Sequence, residues 1–407
     1  VPWAAKGYYT PDRSVFASDP LWHAGAYYVQ ESSSMFLSHI LETVLKDYPQ
    51  PLVLDLCASP GGKSTIISSF LFQKQGFLVA NEVIQGRLHA LRENIYKWGI
   101  PNTWVTNRDA SFWGSKKDIF DCVVVDAPCS GEGMFRKDPQ SRVEWREDSP
   151  AFCAARQKRI VEEVLPCLKS GGYFIYSTCT FNSNENGDIV SFLETQGLQV
   201  VTIEIEEEWG ITAHDKGYAF WPHKVRGEGF FISVFRKKAA DTHSEIAVNE
   251  KKDLKRKEIA LRPIVQNLPF SLANEWQTML ADSLVFLLHP SFTIHYNRLS
   301  SLAKIEDIAW RIAEIKGKDI IPLPESGFII PQILTSNQTH EVTNEQALSY
   351  LRKEDPLPGA GLKGWVLLHY KGVALGWLKG IGNRNNNIYP LAYRLHKSNF
   401  EFPEELL

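Results

Sequence analysis

Long apolar runs are missing from this sequence. No stretch reaches the 18 or more consecutive apolar residues of a membrane-spanning helix, and no signal peptide opens the chain, which argues against a membrane partner. An excess of one charge is also missing: the formal net charge is −3, so any signal for nucleic acid must be local. Cysteine is sparse. The six thiols, at 57, 122, 129, 153, 167 and 179, form no C-x-x-C pair, so zinc-finger spacing is absent and no metal site is expected. Scattered thiols in a chain of this size predict a reducing, cytoplasmic compartment. There is no internal repeat or low-complexity tract, and three methionines against twelve tryptophans decide nothing.

What is present is ordinary globular material. Hydrophobic residues are 44% and charged residues 22% of 407, which excludes disordered, collagen-like and disulfide-scaffold chains. At about 150 residues per domain, two to three domains are expected.

Residues 52–236 alternate short apolar runs with amphipathic stretches. Leu52–Cys57, Phe77–Glu82, Thr103–Asp109, Ile119–Asp126 and Tyr173–Cys179 read as strands, and Thr65–Lys74, Arg87–Trp98, Ala151–Leu168 and Glu185–Thr195 as helices. Strands separated by helices imply βαβ units and a mostly parallel sheet, which Gln199–Ile205 and Gly229–Arg236 would complete to seven strands. Residues 237–262 hold eight Lys/Arg and five Asp/Glu with few large apolar side chains, the composition of a solvated linker. Beyond it a helix over Leu302–Ile315 is expected. Strand-like pieces (Gly327–Ile330, Gly364–Tyr370, Val373–Leu378) then alternate with Gly, Asn and Pro. The expected domains are 1–236, a linker at 237–262, a small mixed module at 263–320 and a β-rich module at 321–407.

The strongest local signal runs from Val53 to Lys63, where a strand enters Cys57-Ala58-Ser59-Pro60-Gly61-Gly62-Lys63 before a helix. Such a glycine turn lets backbone approach a ligand. A P-loop matches at Gly62, Lys63 and Ser64, but Cys57 stands where its first glycine should be. An adenosine site fits better. Glu82 ends the next strand 20 residues after Gly62, where an acid meets ribose hydroxyls in nucleotide-binding βαβ folds. Asp109 and Asp126 end the third and fourth strands. With Asp55 they line the carboxyl ends of the strands, where open α/β sheets bind ligands.

A lone cysteine is more often a small buried hydrophobe than a nucleophile, and Cys57, Cys122, Cys153 and Cys167 take that reading. Cys129, in Asp126-Ala127-Pro128-Cys129-Ser130-Gly131, and Cys179, in Ser177-Thr178-Cys179-Thr180, each end a strand at the same sheet edge. Two thiols converging beside a cofactor cleft favour chemistry, since thiolates are potent nucleophiles once their pKa is lowered.

The combination CASPGGK, DAPCSG and STCT resembles the Sun/nucleolar-protein family of RNA cytosine carbon-5 methyltransferases, nearest its bacterial RsmF type. The likeness extends to Tyr28–Met35 upstream and to Trp221-Pro222-His223 and Gly227–Phe231 downstream, covering roughly residues 20–236. Residues 360–394 more loosely resemble that type's PUA-like module. Ser59 stands where the family commonly has alanine, and residues 1–25 correspond to the end of a small N-terminal domain.

The resemblance implies a class I S-adenosylmethionine-dependent methyltransferase fold: a seven-stranded, mostly parallel, doubly wound α/β sheet, with smaller C-terminal modules including a β-rich PUA-like domain. It implies that Cys57, Ala58, Ser59, Pro60, Gly61, Gly62 and Lys63 wrap S-adenosylmethionine, and that Glu82, Arg87, Asp109 and Asp126 complete its site. It further implies Cys179 as nucleophile and Cys129 as the residue that helps release the methylated base, with Asp126 near both cofactor and base. A Pro-Cys pair also supplies the nucleophile of DNA cytosine methyltransferases, so residue chemistry alone leaves either thiol eligible. The implied product is 5-methylcytosine in RNA, with 16S ribosomal RNA the expected partner and a monomer the default. A tRNA methyltransferase, a non-catalytic ribosome assembly factor and a P-loop ATPase are the alternatives.

Charge placement bears on RNA independently. From Pro356 to Phe400 there are six Lys/Arg (Lys363, Lys371, Lys379, Arg384, Arg394, Lys397) and no Asp or Glu, leaving the remainder at −9. Trp365, Tyr370, Trp377, Tyr389 and Tyr393 interleave with them, either for phosphate contact and base stacking or as the core of a basic β-module. A second basic stretch, Arg136 to Arg159, is diluted by Asp138, Glu144, Glu147 and Asp148.

Overall fold

A computed structural model describes residues 1–10, 16–239, 267–273 and 275–396. These divide into two compact units. The first comprises residues 1–10, 30–91 and 102–239, and the second residues 16–29, 92–101, 267–273 and 275–396.

The first unit is built on one sheet. Its strands are β1 (Leu52–Asp55), β2 (Phe77–Asn81), β3 (Thr103–Thr106), β4 (Phe120–Asp126), β5 (Leu168–Thr178), β6 (Leu198–Val200), β7 (Thr212–His214), β8 (Gly217–Phe220) and β9 (Phe230–Lys237). Every residue of β1 and β2 is buried, as continuous apolar runs covered on both faces of a parallel sheet should be. The order is β3-β2-β1-β4-β5-β9-β8-β7, with β6 on β9; β3 through β5 pair in parallel, and β9 runs antiparallel to β5. The chain winds from β1 outward through β2 and β3, then returns to β1's other side as β4. That reversal opens a crevice at the carboxyl ends of β1 and β4.

The sheet has nine strands rather than the expected seven. The two extra come from the β7–β8 hairpin, which closes on Asp215 and Lys216, both at positive φ. Asn-Gly or Asp-Gly would have announced that turn, and neither is present. Of the expected strand at 199–205, only Leu198–Val200 forms.

In the second unit β10 (Phe270–Leu272) pairs with β15 (Leu334–Ser336). Strands β11 (Gln277–Ala281), β12 (Leu284–Leu288), β13 (Trp310–Lys316) and β14 (Asp319–Pro322) make an antiparallel meander. The helix expected over Leu302–Ile315 is replaced by one turn of helix, Ile305–Ile308, followed by β13. Pairing on both sides overrides the helical spacing: Trp310, Ile312 and Ala313 are buried and Arg311 is exposed. Gly327–Ile330 is no strand either. Pro324–Phe328 is a 3₁₀ turn, and a Cβ on Gly327 would lie 2.9 Å from the Gly376 backbone.

The terminal sheet orders β16 (Thr339–Glu341), β17 (Lys363–Tyr370), β18 (Val373–Ile381) and β19 (Asn385–Asn387). Its core gathers Tyr350, Leu351, Val366, Leu375, Leu378 and Tyr389, together with Ala24 from far upstream. This explains why the units are not the contiguous blocks expected from sequence: residues 16–29 and 92–101 pack into the second. Lys97 is 6% exposed there, paired with Glu93 at 2.6 Å and lying over the rings of Trp22 and Tyr393. Trp377 and Tyr389 are core residues, whereas Trp365 and Tyr370 are half-buried and Lys363, Lys371, Arg384 and Arg394 are exposed. Lys397 and most of the expected linker, residues 240–262, lie outside the described residues. Among the described residues no helix is long and apolar enough to cross a membrane.

Candidate active site

The glycine turn connects β1 to the helix Gly62–Gln73 at the crevice. Gly61 sits at φ 116°, a conformation that favours glycine, so the sequence can turn there into the helix. Asp55 closes β1 wholly buried, accepting a 2.6 Å hydrogen bond from Ser64 Oγ, and burial raises its pKa to about 7. This arrangement disposes of the P-loop, since the Ser64 hydroxyl is committed to Asp55 and the Lys63 ammonium to Asp126 at 2.9 Å.

Glu82 is 2% exposed at the end of β2. Its Oε1 accepts from the Ile84 backbone at 2.8 Å, while Oε2 is buried and accepts no hydrogen bond, with only the Arg87 guanidinium 3.5 Å away. A buried acceptor left open is what a ribose hydroxyl would fill. Arg87 also donates to the Ser59 carbonyl at 2.7 Å, and Ser59 Oγ donates back to the Arg87 carbonyl, so turn and acid are braced together. The chemistry of the turn and the open Glu82 acceptor is thus compatible with S-adenosylmethionine, whose ribose Glu82 would hold. Asp109 caps the helix Ala110–Gly114: Oδ1 accepts from Phe112 N and Ser111 Oγ, each at 2.8 Å, and the backbone bond to Phe112 lowers its pKa.

The two singled-out thiols meet. Cys129 Sγ and Cys179 Sγ are 3.2 Å apart, both partly exposed and neither in a disulfide. Their pKa values are pushed in opposite directions. The hydrogen bond from Cys129 lowers that of Cys179, and the Lys63 ammonium adds to the effect against burial and Asp126. The same bond, then burial and the Glu185 carboxylate, raises that of Cys129. Asp126, at the end of β4, accepts from Ser177 Oγ at 2.8 Å and pairs with Lys63. Burial alone would lower the Lys63 pKa, but Asp126 more than offsets it and keeps the cation charged. Cys57, Cys122, Cys153 and Cys167 all have thiol pKa values raised by burial, as inert side chains should.

Several residues that hold this pair carry no signal in the sequence. Glu185 is fully buried and gathers Ser130 N at 3.0 Å, the Ser130 hydroxyl, Gln157 Nε2 at 2.8 Å and Asn182 Nδ2 at 2.8 Å. Gln157 in turn donates to the Pro128 carbonyl at 3.1 Å, so one carboxylate fixes both sides of the Cys129 turn. Glu132 accepts from Thr180 Oγ1, Phe181 N and Asn182 N at 2.7, 2.9 and 3.1 Å, clasping the Cys179 loop. Gly133 N donates to the Cys179 carbonyl at 2.9 Å, and a Cβ there would meet that carbonyl and the one of Gly229 within 3 Å. Asn81 joins three strand ends by donating to the Leu56 and Arg108 carbonyls and accepting from Thr106. Upstream, Glu31 accepts from Ser34 N and Glu228 N, tying Tyr28–Met35 to Gly227–Phe231. Position alone could have pointed to Asn182, three residues after Cys179; Glu185 is expected inside a helix over Glu185–Thr195, but that helix starts at Gly187 and leaves Glu185 on the loop.

Known proteins are similar to this chain in both its parts. Residues 42–236 match the family described as 16S rRNA methyltransferase RsmB/F, and residues 337–395 match the methyltransferase RsmF PUA domain. Proteins named ribosomal RNA small subunit methyltransferase F are similar over nearly the whole chain. That of Shewanella amazonensis is 30% identical over 96% of this chain and 85% of its own, and that of Aliivibrio fischeri 30% identical over 96% and 84%. A solved structure, PH0851, is 26% identical over 57% of this chain and 51% of its own, with a TM-score of 0.50. Similarity at that level along almost the full length leaves one assignment: the chain belongs to the RsmB/F family of S-adenosylmethionine-dependent rRNA cytosine-5 methyltransferases, in the RsmF group that carries a PUA domain.

Proposed function

We propose that this chain methylates carbon 5 of cytosine in 16S ribosomal RNA, with Cys179 as the nucleophile and Cys129 as its partner in release. The observation that carries the reading is the 3.2 Å approach of two free thiols beside the Asp126–Lys63 pair, and the family likeness favours Cys179 as the one that attacks. Carbon 5 of cytosine is too poor a nucleophile to be methylated directly. Addition of the Cys179 thiolate to carbon 6 turns carbon 5 into an enamine-like nucleophile, dividing one hard step into easier ones. The ring nitrogen between carbons 2 and 4 takes up a proton as this happens, and the Asp126 carboxylate, held by Ser177 and Lys63, stabilises the positive charge. Bound S-adenosylmethionine supplies the electrophilic methyl group.

Release reverses the addition. Water takes the carbon-5 proton, that bond's electron pair restores the carbon 5–carbon 6 double bond, the carbon 6–sulfur pair returns to Cys179, and the ring nitrogen gives back to solvent the proton it took from it. The Cys129 S–H, whose proton burial and Glu185 help retain, stabilises the departing thiolate. The target base must be unstacked to reach the thiol, and the basic PUA module contributes phosphate contacts. The compartment is the cytoplasm, whose reducing poise keeps both thiols free.

A denaturing gel with labelled 16S RNA tests the roles. Cys179→Ser loses turnover and forms no adduct, whereas Cys129→Ala accumulates protein–RNA species that survive denaturation. Trapping by Cys179→Ser would reverse the assignment. Methyl incorporation by neither the wild type nor any variant, with cofactor binding intact, would favour an assembly factor.

A further inference from the structure

Beside the thiols lies a cavity of about 410 Å³ that the chemistry above does not use, walled by Phe135, Arg136, Arg142, Trp145 and Phe181 together with Glu132 and Gly133. From this geometry we infer that the cavity receives a nucleobase adjoining the target cytosine on the same RNA strand. The inference rests on the RNA methyltransferase reading and adds a second base-binding site to it.

Three observations point there. The first is continuity with the reacting centre. Phe181 is two residues from Cys179, and the Gly133 amide that lines the cavity holds the Cys179 carbonyl at 2.9 Å. A strand that delivers one base to Cys179 therefore runs past this opening within a nucleotide or two. The second is the wall chemistry. Trp145 meets Phe135 edge to face at 6.3 Å, and Phe181 is stacked on Trp221 at 5.4 Å and 18°, which leaves its other ring face for a base. Rigid aromatic faces beside guanidinium groups are the common device for gripping single-stranded RNA. Arg136 spends Nε and Nη2 on Glu228 and the Gly227 carbonyl, and Arg142 spends Nε on the Phe135 carbonyl. Each guanidinium carries five N–H donors, so both are oriented by the protein with donors remaining for a phosphate.

The third is an unmet hydrogen bond. Trp145 Nε1 is buried and donates to nothing in the protein. A buried indole N–H normally finds an acceptor, and a ring nitrogen or carbonyl oxygen of a base would provide one. Of the two acids on the cavity wall, Glu228 is paired with Arg136 and Glu132 already accepts from Thr180, Phe181 and Asn182, so neither competes for that role. The volume lies in the range of small-ligand sites, enough for one nucleotide.

The test uses the full chain, labelled S-adenosylmethionine and synthetic RNAs carrying the modified cytosine mapped in 16S RNA, with the base deleted at one flanking position at a time. One abasic position should lower kcat/KM about fivefold or more, the loss expected for a stacked base. Trp145→Phe keeps the ring and removes the N–H; it should lower kcat/KM about threefold or more on intact RNA but leave the rate on that abasic RNA unchanged. Cofactor affinity by calorimetry should be the same for both proteins. Equal rates on all abasic RNAs, or a Trp145→Phe penalty that persists when the base is gone, would overturn the second site while the methyltransferase reading stands. No methyl incorporation into intact RNA by the wild type would sink both.

Discussion

The carboxyl edge of β1, β4 and β5 and the second unit both withdraw polar side chains wholly or partly from solvent, and they treat them in opposite ways. At the sheet edge Asp126, Lys63, Glu185 and the two thiols are knitted into hydrogen bonds that end on reactive sulfur. In the second unit the buried ionisable groups are kept quiet. Burial and the nearby Lys97 lower the His23 pKa to about 4, so the ring is neutral at pH 7, and Lys97 itself is shared between Glu93 and two aromatic rings. Buried polarity is thus a working part in one region and a contained cost in the other.

Removing the carboxylate that braces the Cys129 turn is the strongest way to break this contrast. Glu185→Ala should lower kcat by about a hundredfold or more, since displacing a reacting group by an ångström has that order of effect. The Kd for S-adenosylmethionine should be unchanged. A variant that instead loses cofactor affinity and turnover together would make Glu185 a stability residue like those of the second unit.

Acid titration sharpens the comparison, because the two units carry opposite proton linkages. Asp55 binds its proton more tightly when folded, with a pKa of about 7 against 3.8, so its stabilising contribution is full below 3.8 and is lost as pH rises through 7. His23 binds its proton less tightly when folded, at about 4 against 6.5, so its contribution is present above 6.5 and is lost as pH falls through 4. At 1.36 kcal/mol per pH unit these amount to roughly 4 kcal/mol for Asp55 and roughly 3 kcal/mol for His23. Between pH 4 and 6.5, acidification should therefore slow hydrogen exchange through opening of the first unit relative to Asp55→Asn, and speed it in the second relative to His23→Gln. Parallel responses in the two units would dissolve the distinction.

Smaller effects follow for the groups that meet cofactor and RNA. Glu82→Ala should weaken S-adenosylmethionine by about 1.5–3 kcal/mol, the range for hydrogen bonds to a charged group, and calorimetry reads it directly. Neutralising Lys363, Lys371, Lys379 and Arg384 together should leave that Kd alone. It should flatten the salt dependence of RNA binding by about 0.7 in log–log slope for each phosphate that the module no longer neutralises. An unchanged slope would make the basic sheet a solvated face.

Much of the first unit is legible because its signals are local. Strands β1 to β4 and the later part of β5, from Tyr173, are mostly apolar runs, whereas the Lys169–Gly172 start of β5 gives no such signal; the acids and thiols that end them inherit a common edge from the parallel winding. Glu185 is not legible, because its importance depends on a loop folding back over the Cys129 turn, which no periodicity records. β13 defeats the sequence pattern for a related reason: its spacing suits a helix, and only pairing with β12, well upstream, and with β14, across the tight turn that follows it, makes it extended. The aromatics of the basic module are ambiguous in the sequence. Trp377 and Tyr389 prove to be core, and Trp365 and Tyr370 remain accessible in part.

The scattered membership of the second unit also sets a timetable for the nascent chain. Ala24, His23 and Lys97 lie in the first quarter of the sequence, yet their neighbours include Tyr350, Leu375 and Tyr393, near its end. At the usual 5–20 residues per second of translation, those early segments wait roughly 15–60 s for their cover. Throughout that interval a neutralised histidine and a paired lysine have no burial to keep them so, and both stay hydrated and free to carry charge. Their polarity would keep the waiting segments soluble until the last strands emerge to enclose them.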